Sequence, residues 1–464
     1  MIQKNFKYPC NIQICINGSM DKLCRKSRNM WTMYASVMKD AVLNENILNL
    51  CREDRRPTLN NIHTLFLNAL GAALKNEPLR EENISSEELL GLLQMAEVHQ
   101  VLPMVFEAVY SCAGAEAQIL RIYRLRSIQL VAIQAQKTAE FLPLLKELHN
   151  AGAKPLVVKG LVCRNLYPKP DFRMSSDEDL LIEPEQTEVC HQVLSQFGLT
   201  TPDPQSQAYE LGYHRPDSYQ YIELHRSLFP HESDAYGDLN RFFVDAHSRA
   251  VEQNGIRTLA PTDHILYLIL HAFKHFLHSG FGIRQVCDLT LFANAYGREI
   301  DWKWVLECCR QVRAEKFAAA MFRIGRKYLN LSLEKSRYPL QWQAILVDEN
   351  PLLEDILDAG VYGGSDMSRK HSSRLTLEAV SAQNRGEAGS HGVLKSLFPT
   401  AQELEGRYPY LKDKPMLLPV AWTDRLVNYY RELAKTRANS PAESIRIGNE
   451  RIDLLKQYEV LENS

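Results

Sequence analysis

The sequence predicts an α+β protein in which a strand-containing core is flanked by N-terminal and C-terminal helical regions. Two observations favour this class. Residues 151 to about 230 alternate short apolar, β-branched runs with helical segments, whereas the stretches before and after them have apolar residues at helical spacing. Hydrophobic residues make up 45% of the 464 positions, so the chain can bury a sizeable core.

The N-terminal part divides into an extension without a clear pattern, residues 1–55, and a helical region, residues 56–150. In the helical region, Ser85 is predicted to cap a helix and Glu88 stands at the capping-box position. A second helix is expected from about Leu125 to Asn150, ending before Gly152.

The core is assigned to residues 151–260 and contains three predicted strands. These are the runs "KPLVVKG", "DEDLLIE" and "YQYIELHR". Two helices separate them, "LVCRNLY" and "PEQTEVCHQVLSQFG", the second with Pro184 near its start and Gly198 after its end. In the third strand, Glu223 and His225 point to one face because side chains alternate.

The C-terminal part is predicted to be mostly helical. Residues 261–335 form one helical region, and residues 336–464 form a second one with a polar loop at 372–392, where large apolar residues are few. The run "LLPVAWTDRLVNYYRELAKTR" then predicts an amphipathic helix.

Charge and cysteine usage exclude several classes of protein. The net charge of −2 gives no general signal for nucleic acid or for an anionic membrane surface. The ten cysteines form no C-x-x-C pair, which is typical of reduced thiols in a cytoplasmic protein. The most apolar run, Ile265 to Phe273, is half the length of a membrane span, and the N-terminus lacks the apolar region of a signal peptide. A soluble cytoplasmic protein is expected; its oligomeric state cannot be read.

A short acidic motif suggests a metal site. Asp177 and Asp179 stand at the start of the strand Leu180-Leu181-Ile182 and would share a face, about 7 Å apart at a rise of about 3.3 Å per residue. Carboxylates at this spacing can converge on one divalent ion, and Glu223 on another strand could add a third. The alternative is that the acids only cap a strand end that faces solvent.

Cationic residues surround this motif. Lys159 and Gly160 end the preceding strand, where a following helix would offer unpaired N–H groups to phosphate. Arg173 lies four residues before Asp177 and could bind phosphate through two hydrogen bonds. Each has a simpler interpretation: Gly160 as a turn residue, Lys159 as a surface lysine, and Arg173 as the ion-pair partner of Asp171 or Asp177. His225 could contact phosphate or orient an acceptor, or could be a strand histidine bonded to a carbonyl.

The sequence "VVKGLVCRNLYPKPDFRMSSDEDLLIEP", followed by "YIELHRSLF", resembles the bacterial nucleotidyltransferase-like family within the DNA polymerase beta superfamily. The shared features are a strand ending in Lys-Gly, a helix ending in Tyr-Pro, an arginine, an Asp-x-Asp-Leu-Leu strand and a later Glu-Leu-His. The resemblance implies a mixed sheet with metal-binding acids at Asp177, Asp179 and Glu223. Lys159-Gly160-Leu161 departs from the Gly-Ser or Gly-Gly of the wider superfamily.

The activity that this resemblance implies is transfer of a nucleoside monophosphate from a nucleoside triphosphate to an acceptor that the sequence does not identify. The cofactor would be Mg²⁺, with Mn²⁺ as an alternative. Lys159, Gly160, Arg173 and His225 would bind the nucleotide. A second hypothesis keeps the fold and nucleotide binding in a regulatory protein without turnover.

A row of histidines supports a third hypothesis, a metal-dependent phosphohydrolase. Four histidines lie within an arc of roughly 60° on one predicted helix, and Asp288 follows after a Gly-rich break. They are His264, His271, His275 and His278. The simpler interpretation, which we favour, is that they line the cleft between the helical part and the core without binding a transition metal.

Overall fold

The computed structural model describes residues 61–462 apart from a few gaps. These gaps are 82–83, 113–116, 205, 207, 232, 360–366, 385–399, 405–407 and 425–440. The predicted extension at 1–55 and most of the helix expected over 417–437 therefore lie outside the described residues.

Among the described residues, four α-helices precede the sheet: α1 (Asn61–Leu74), α2 (Ser86–Val98), α3 (Leu102–Val109) and α4 (Ala117–Asn150). Ser85 caps α2 as predicted, and Glu88 closes the capping box. The long helix α4 ends before Gly152, which has a φ of +88°, as a helix-terminating glycine should.

A six-stranded mixed sheet forms the core. Its strands are β1 (Leu156–Val158), β2 (Glu178–Leu181), β3 (Glu210–His214), β4 (Tyr221–His225), β5 (Val251–Gln253) and β6 (Ile256–Thr258). The strand order is β3-β4-β2-β1-β6-β5. The β2–β4 and β1–β6 pairs are parallel and the other pairs are antiparallel. The predicted fold class, with a mixed sheet flanked by helices, is confirmed.

Two helices connect these strands: α5 (Gly160–Arg164) after β1 and α6 (Thr187–Gln196) after β2. The three predicted strands correspond to β1, β2 and β4, and the sequence analysis missed the other three. The β5–β6 hairpin had a signal, because Asn254 and Gly255 join the strands with φ values of 51° and 75°, the left-handed pair that a tight hairpin requires.

Helices resume after the sheet. They are α7 (Pro261–Leu277), α8 (Arg284–Tyr296), α9 (Trp302–Gln311), α10 (Glu315–Tyr328), α11 (Leu333–Ser336), α12 (Leu340–Gln343), α13 (Asn350–Ala359), α14 (Met367–Asn384), α15 (Ala401–Leu404), α16 (Tyr410–Asp413) and α17 (Pro441–Gln457). Most buried apolar side chains from Phe66 to Leu461 form one cluster, so the sheet and most helices share a core, and a separate small cluster contains Leu404, Tyr408, Leu411 and Ala421. Within the described part of the chain, no helix combines the length and apolarity that a membrane crossing needs.

The polar loop predicted at 372–392 is wrong over residues 372–384, which belong to α14. This helix packs against α17, with Val380 buried and the Thr376 hydroxyl donating to the Leu277 carbonyl at 2.9 Å. Packing by a few side chains outweighs the polar composition that suggested a loop. Residues 385–392 lie outside the described part.

Candidate active site

Strand register brings two of the predicted acids together. Asp179 on β2 stands opposite Glu223 on the parallel neighbour β4, and opposite Val158 on β1. Within β4, Glu223 and His225 share a face because successive side chains alternate. The carboxylates of Asp179 and Glu223 and the imidazole of His225 therefore meet at one place on the sheet.

Asp179, Glu223 and His225 each offer a ligand atom, and these atoms all lie within 4.8 Å of one another. His225 Nε2 lies 3.2 Å from Asp179 Oδ1 and 3.6 Å from Glu223 Oε2. Two carboxylates suit Mg²⁺ or Mn²⁺, whereas Mg²⁺ seldom takes an imidazole ligand. The donor set thus fits a divalent ion on the two acids, with His225 hydrogen-bonded to Asp179 and in ion-pair contact with Glu223.

Lys159 supplies the nearest cation. Its ammonium lies 3.1 Å from Asp179 Oδ2, and its side chain is only 13% exposed. That oxygen has no well-aligned hydrogen bond, so the contact is an ion pair. Asp179 is therefore held between Lys159 and His225, which places the lysine predicted to bind phosphate directly at the acids.

The charges of this cluster are interdependent. Burial would raise the pKa of Asp179, but the Lys159 ammonium and the hydrogen bond from His225 hold it well below its usual range. Burial would lower the pKa of His225, but Asp179 and Glu223 raise it to about 9. Burial raises the pKa of Glu223 to about 7, with repulsion from Asp177 and Asp179 adding to it and His225 opposing it. The cluster thus holds Asp179 as a carboxylate, with His225 protonated beside it at neutral pH.

Asp177 lies close to the cluster but outside it. Strand β2 begins at Glu178, so Asp177 precedes the strand, and its half-buried side chain is not in the group of ligand atoms that meet within 4.8 Å. Its charge nevertheless contributes to the raised pKa of Glu223. The preceding segment is fixed by the ammonium of Lys137, which donates to the carbonyls of Ser175 and Ser176 at 2.7 and 2.9 Å. The assignment of Asp177 as a metal ligand stays a prediction.

Gly160 has a steric reason to be glycine. A Cβ there would lie 2.3 Å from Glu178 Oε2, in a buried site where Glu178 also pairs with Arg164. The helix that Gly160 begins is only five residues long, so its dipole is small. This steric reason does not bear on the predicted contact of Gly160 with phosphate, which stays a prediction.

The prediction that Arg173 faces phosphate is contradicted. Its Nε and Nη2 donate to the two carboxylate oxygens of Asp288 at 2.8 and 2.7 Å, and the side chain is 1% exposed. Tyr167 donates to the same carboxylate at 2.7 Å. Arg173 therefore ties the segment before β2 to helix α8. The sequence suggested Asp171 or Asp177 as its nearby ion-pair partners, because spacing cannot show a residue 115 positions away.

The four histidines occupy different environments on and after α7. His264 is fully buried and accepts the Lys159 backbone N–H at 3.1 Å. The rings of His271 and His275 lie edge to face with centroids 4.6 Å apart, and His278 caps the end of the helix. Asp288, which could have completed a metal site with them, is bound instead by Arg173 and Tyr167.

Residues 85–330 match a protein family described as an uncharacterised nucleotidyltransferase. The match covers more than half of the chain and includes the whole sheet with its acids. The chain belongs to this family. No curated protein and no solved structure matched the sequence. The predicted resemblance is confirmed, and nucleotidyl transfer is supported as the general activity of the protein.

Sequence reasoning missed other groups around the site. Lys274 on α7 is half-buried. Burial and the charge of Lys159 lower its pKa, whereas the charges of three acids, Glu210, Glu223 and Asp179, act to raise it. Lys274 therefore interacts electrostatically with the same cluster. Glu210 Oε2 on β3 lies 3.9 Å from His225 Nδ1. Lys274 had no clear signal, because the residue before His275 points about 100° away from it on the helix and so lies outside the arc of the four histidines. Glu210 had none, because β3 was not predicted.

Two surface recesses, of about 260 and 430 Å³, lie elsewhere. Neither is lined by Asp179, Glu223 or His225. We therefore locate the site by its chemistry and by strand register.

Proposed function

We propose that the protein transfers a nucleoside monophosphate from a nucleoside triphosphate, bound with Mg²⁺ or Mn²⁺, to a hydroxyl or phosphate oxygen of an acceptor. The observation that carries this proposal is the convergence of Asp179 and Glu223 on adjacent in-register strands, with Lys159 beside them. Membership of a nucleotidyltransferase family supports the same reaction class.

Asp179 and Glu223 would hold the divalent ion, with Asp177 as a further oxygen donor at the edge of the cluster. A divalent ion held there would supply positive charge that offsets the negative charge developing at the α-phosphorus. Glu223 is 27% exposed and Asp179 only 2%, so the acceptor reaches the acids from the Glu223 side.

In the reaction, the acceptor oxygen forms a bond to the α-phosphorus while the bond from that phosphorus to the oxygen bridging the α- and β-phosphates breaks. Pyrophosphate leaves with the bonding electrons, and the acceptor proton passes to the Glu223 carboxylate oxygen that does not hold the ion. Lys159 and Lys274 would contact the pyrophosphate, because both lysines interact electrostatically with the acids. Lys159, which contacts Asp179 in this structure, would contact a phosphate oxygen when the nucleotide is bound.

The test is pyrophosphate release from each of the four nucleoside triphosphates with MgCl₂ or MnCl₂, with and without EDTA, against a panel of alcohol, protein and RNA-end acceptors. Wild-type protein should release pyrophosphate only with a divalent ion. Asp179→Asn and Glu223→Gln should each lose at least about 100-fold in turnover, because the neutral amides cannot hold the ion or take a proton. Asp177→Asn tests whether the third acid belongs to the set.

Glu252→Gln is the matched control, because Glu252 is an exposed carboxylate on β5 of the same sheet. Its turnover should equal that of wild type. Calorimetric binding of a nucleoside triphosphate without turnover on any acceptor would favour the regulatory alternative. Turnover that survives both acid-to-amide changes would refute the proposal.

A further inference from the structure

The backbone of Lys159 adopts a conformation that side-chain-bearing residues rarely take. Its φ is 56° and its ψ is −88°, and it joins the end of β1 to helix α5. Such a backbone persists only when its surroundings hold it in place. The turn matters because it directs the Lys159 ammonium to Asp179, 3.1 Å away.

A chain of three hydrogen bonds fixes this turn. Thr258 on β6 donates its hydroxyl to the Val157 carbonyl on β1 at 2.6 Å. The same hydroxyl oxygen lies 3.3 Å from His264 Nδ1, and His264 Nε2 lies 3.1 Å from the Lys159 backbone nitrogen. The chain therefore connects the sheet, helix α7 and the turn.

The bonds also determine the tautomer of His264. A hydroxyl has one hydrogen, and Thr258 uses it on Val157, so the hydroxyl can only accept a hydrogen bond from His264. Nδ1 must then carry the hydrogen, which leaves Nε2 with the lone pair that the Lys159 N–H needs. A protonated imidazole, or the other tautomer, would present a hydrogen to that N–H.

The surroundings of the imidazole favour its neutral form. His264 and Thr258 are both 0% exposed, and the ring of Phe292 lies 4.7 Å from that of His264. Burial lowers the pKa of His264 to about 3, although the charge of Asp288 acts in the opposite direction. Asp288 is the charged group that acts on this ring, and Lys159 meets the ring through its backbone N–H.

We propose that His264, as a neutral imidazole with its hydrogen on Nδ1, is a positioning residue that holds the Lys159 backbone so that the lysine ammonium reaches the acids and the nucleotide phosphates. The contact of the lysine ammonium with the nucleotide phosphates rests on the proposed function. His264 itself touches neither the acids' ligand atoms nor the acceptor in this role. It acts through the Lys159 N–H.

Two pairs of variants test this role. His264→Gln keeps one acceptor and one donor, whereas His264→Leu has neither and leaves the Lys159 N–H unpaired. Thr258→Ser keeps the hydroxyl, whereas Thr258→Val removes it and with it the reason for the Nδ1–H tautomer. In each pair the first variant is the matched control of the second.

The first readout does not depend on nucleotide turnover. Nitrogen-15 NMR of histidine-labelled protein should show His264 neutral with the hydrogen on Nδ1 in wild type and Thr258→Ser. Hydrogen exchange at the Lys159 amide should be faster in His264→Leu and Thr258→Val than in their controls. An Nε2–H tautomer in wild type, or unchanged exchange in both disruptive variants, would overturn the inference.

The second readout is the kinetics of pyrophosphate release. His264→Leu should lose about 10- to 100-fold in kcat/KM for the nucleotide, the usual size of an effect transmitted through a neighbouring residue, and His264→Gln should recover most of it. If His264→Leu does not fold, Thr258→Val takes its place in both readouts. A wild-type protein without turnover would refute the proposed function alone, since tautomer and amide exchange would still decide the role of His264.

Discussion

Replacing Arg173 with methionine should destabilise the protein without weakening nucleotide binding. The change leaves the Asp288 carboxylate, which is 2% exposed, without its two charge-assisted hydrogen bonds of 2.8 and 2.7 Å. Removing one partner of a buried ion pair costs about 3–5 kcal/mol, because the remaining charge stays out of water. Methionine fills much of the volume, and Tyr167 still donates to Asp288, so we expect the lower part of this range.

The loss should depend on pH in a known direction. In wild type, burial would raise the pKa of Asp288, but Arg173 holds it below its usual range. Its pairing therefore contributes stability above the unfolded-state pKa of about 4, and this contribution is lost as pH falls through the lower folded-state pKa. In Arg173→Met the carboxyl can protonate at higher pH. The stability difference between the two proteins should be largest near pH 7 and should shrink towards pH 4.

The assay is urea unfolding of both proteins at pH 7 and pH 4.5, with nucleotide affinity measured by calorimetry at pH 7. Arg215→Met is the matched control, because the Arg215 side chain is 29% exposed in its ion pair with Glu140. That pair should be worth about 1 kcal/mol or less. Wild-type stability of Arg173→Met together with a clear loss of nucleotide affinity would refute the burial argument and return Arg173 to the phosphate site.

Three further outcomes follow from the structure. Gly160→Ala should lose about 1–3 kcal/mol in urea unfolding, because its Cβ would lie 2.3 Å from Glu178 Oε2; wild-type stability would show that this side chain can move aside. Burial lowers the pKa of Lys137 to about 8, below an unfolded value of about 10. As pH rises from about 8 to about 10, the unfolding free energy of wild type should therefore increase relative to that of Lys137→Met. A difference in unfolding free energy that does not change with pH would contradict this. His278→Ala should keep wild-type pyrophosphate release, because His278 caps the end of α7 and is not among the ligand atoms that meet at the acids; a tenfold loss of turnover would place His278 in the site.

Local pattern was sufficient for much of the core. The Ser85 capping box, the strand that carries Asp179 and the alternation of Glu223 and His225 on β4 all depend on residues a few positions apart. Such features reflect hydrogen bonding and side-chain direction within one element. The motif order was also enough to indicate the family, which the match over residues 85–330 confirms.

Weak or polar segments were harder to read. Strand β3 (Glu210–His214) contains Gly212. A Cβ at this position would collide with the Tyr221 side chain of the neighbouring strand, so only the strand pairing explains the glycine. Helix α14 has few apolar side chains and is stabilised by its contact with α17. In both cases the neighbouring element supplies what the segment lacks.

The sequence by itself determined the capping box of α2, the strands that carry Asp179 and Glu223, and the family. The tertiary structure decided which distant groups meet. The parallel register of β2 and β4 sets Asp179 beside Glu223, and helix α8 brings Asp288 to Arg173. Helix α7 likewise places His264 against the Lys159 backbone. The physical reason is that periodicity fixes where a side chain points from its own element, whereas its partner depends on strand order and helix packing across more than a hundred residues.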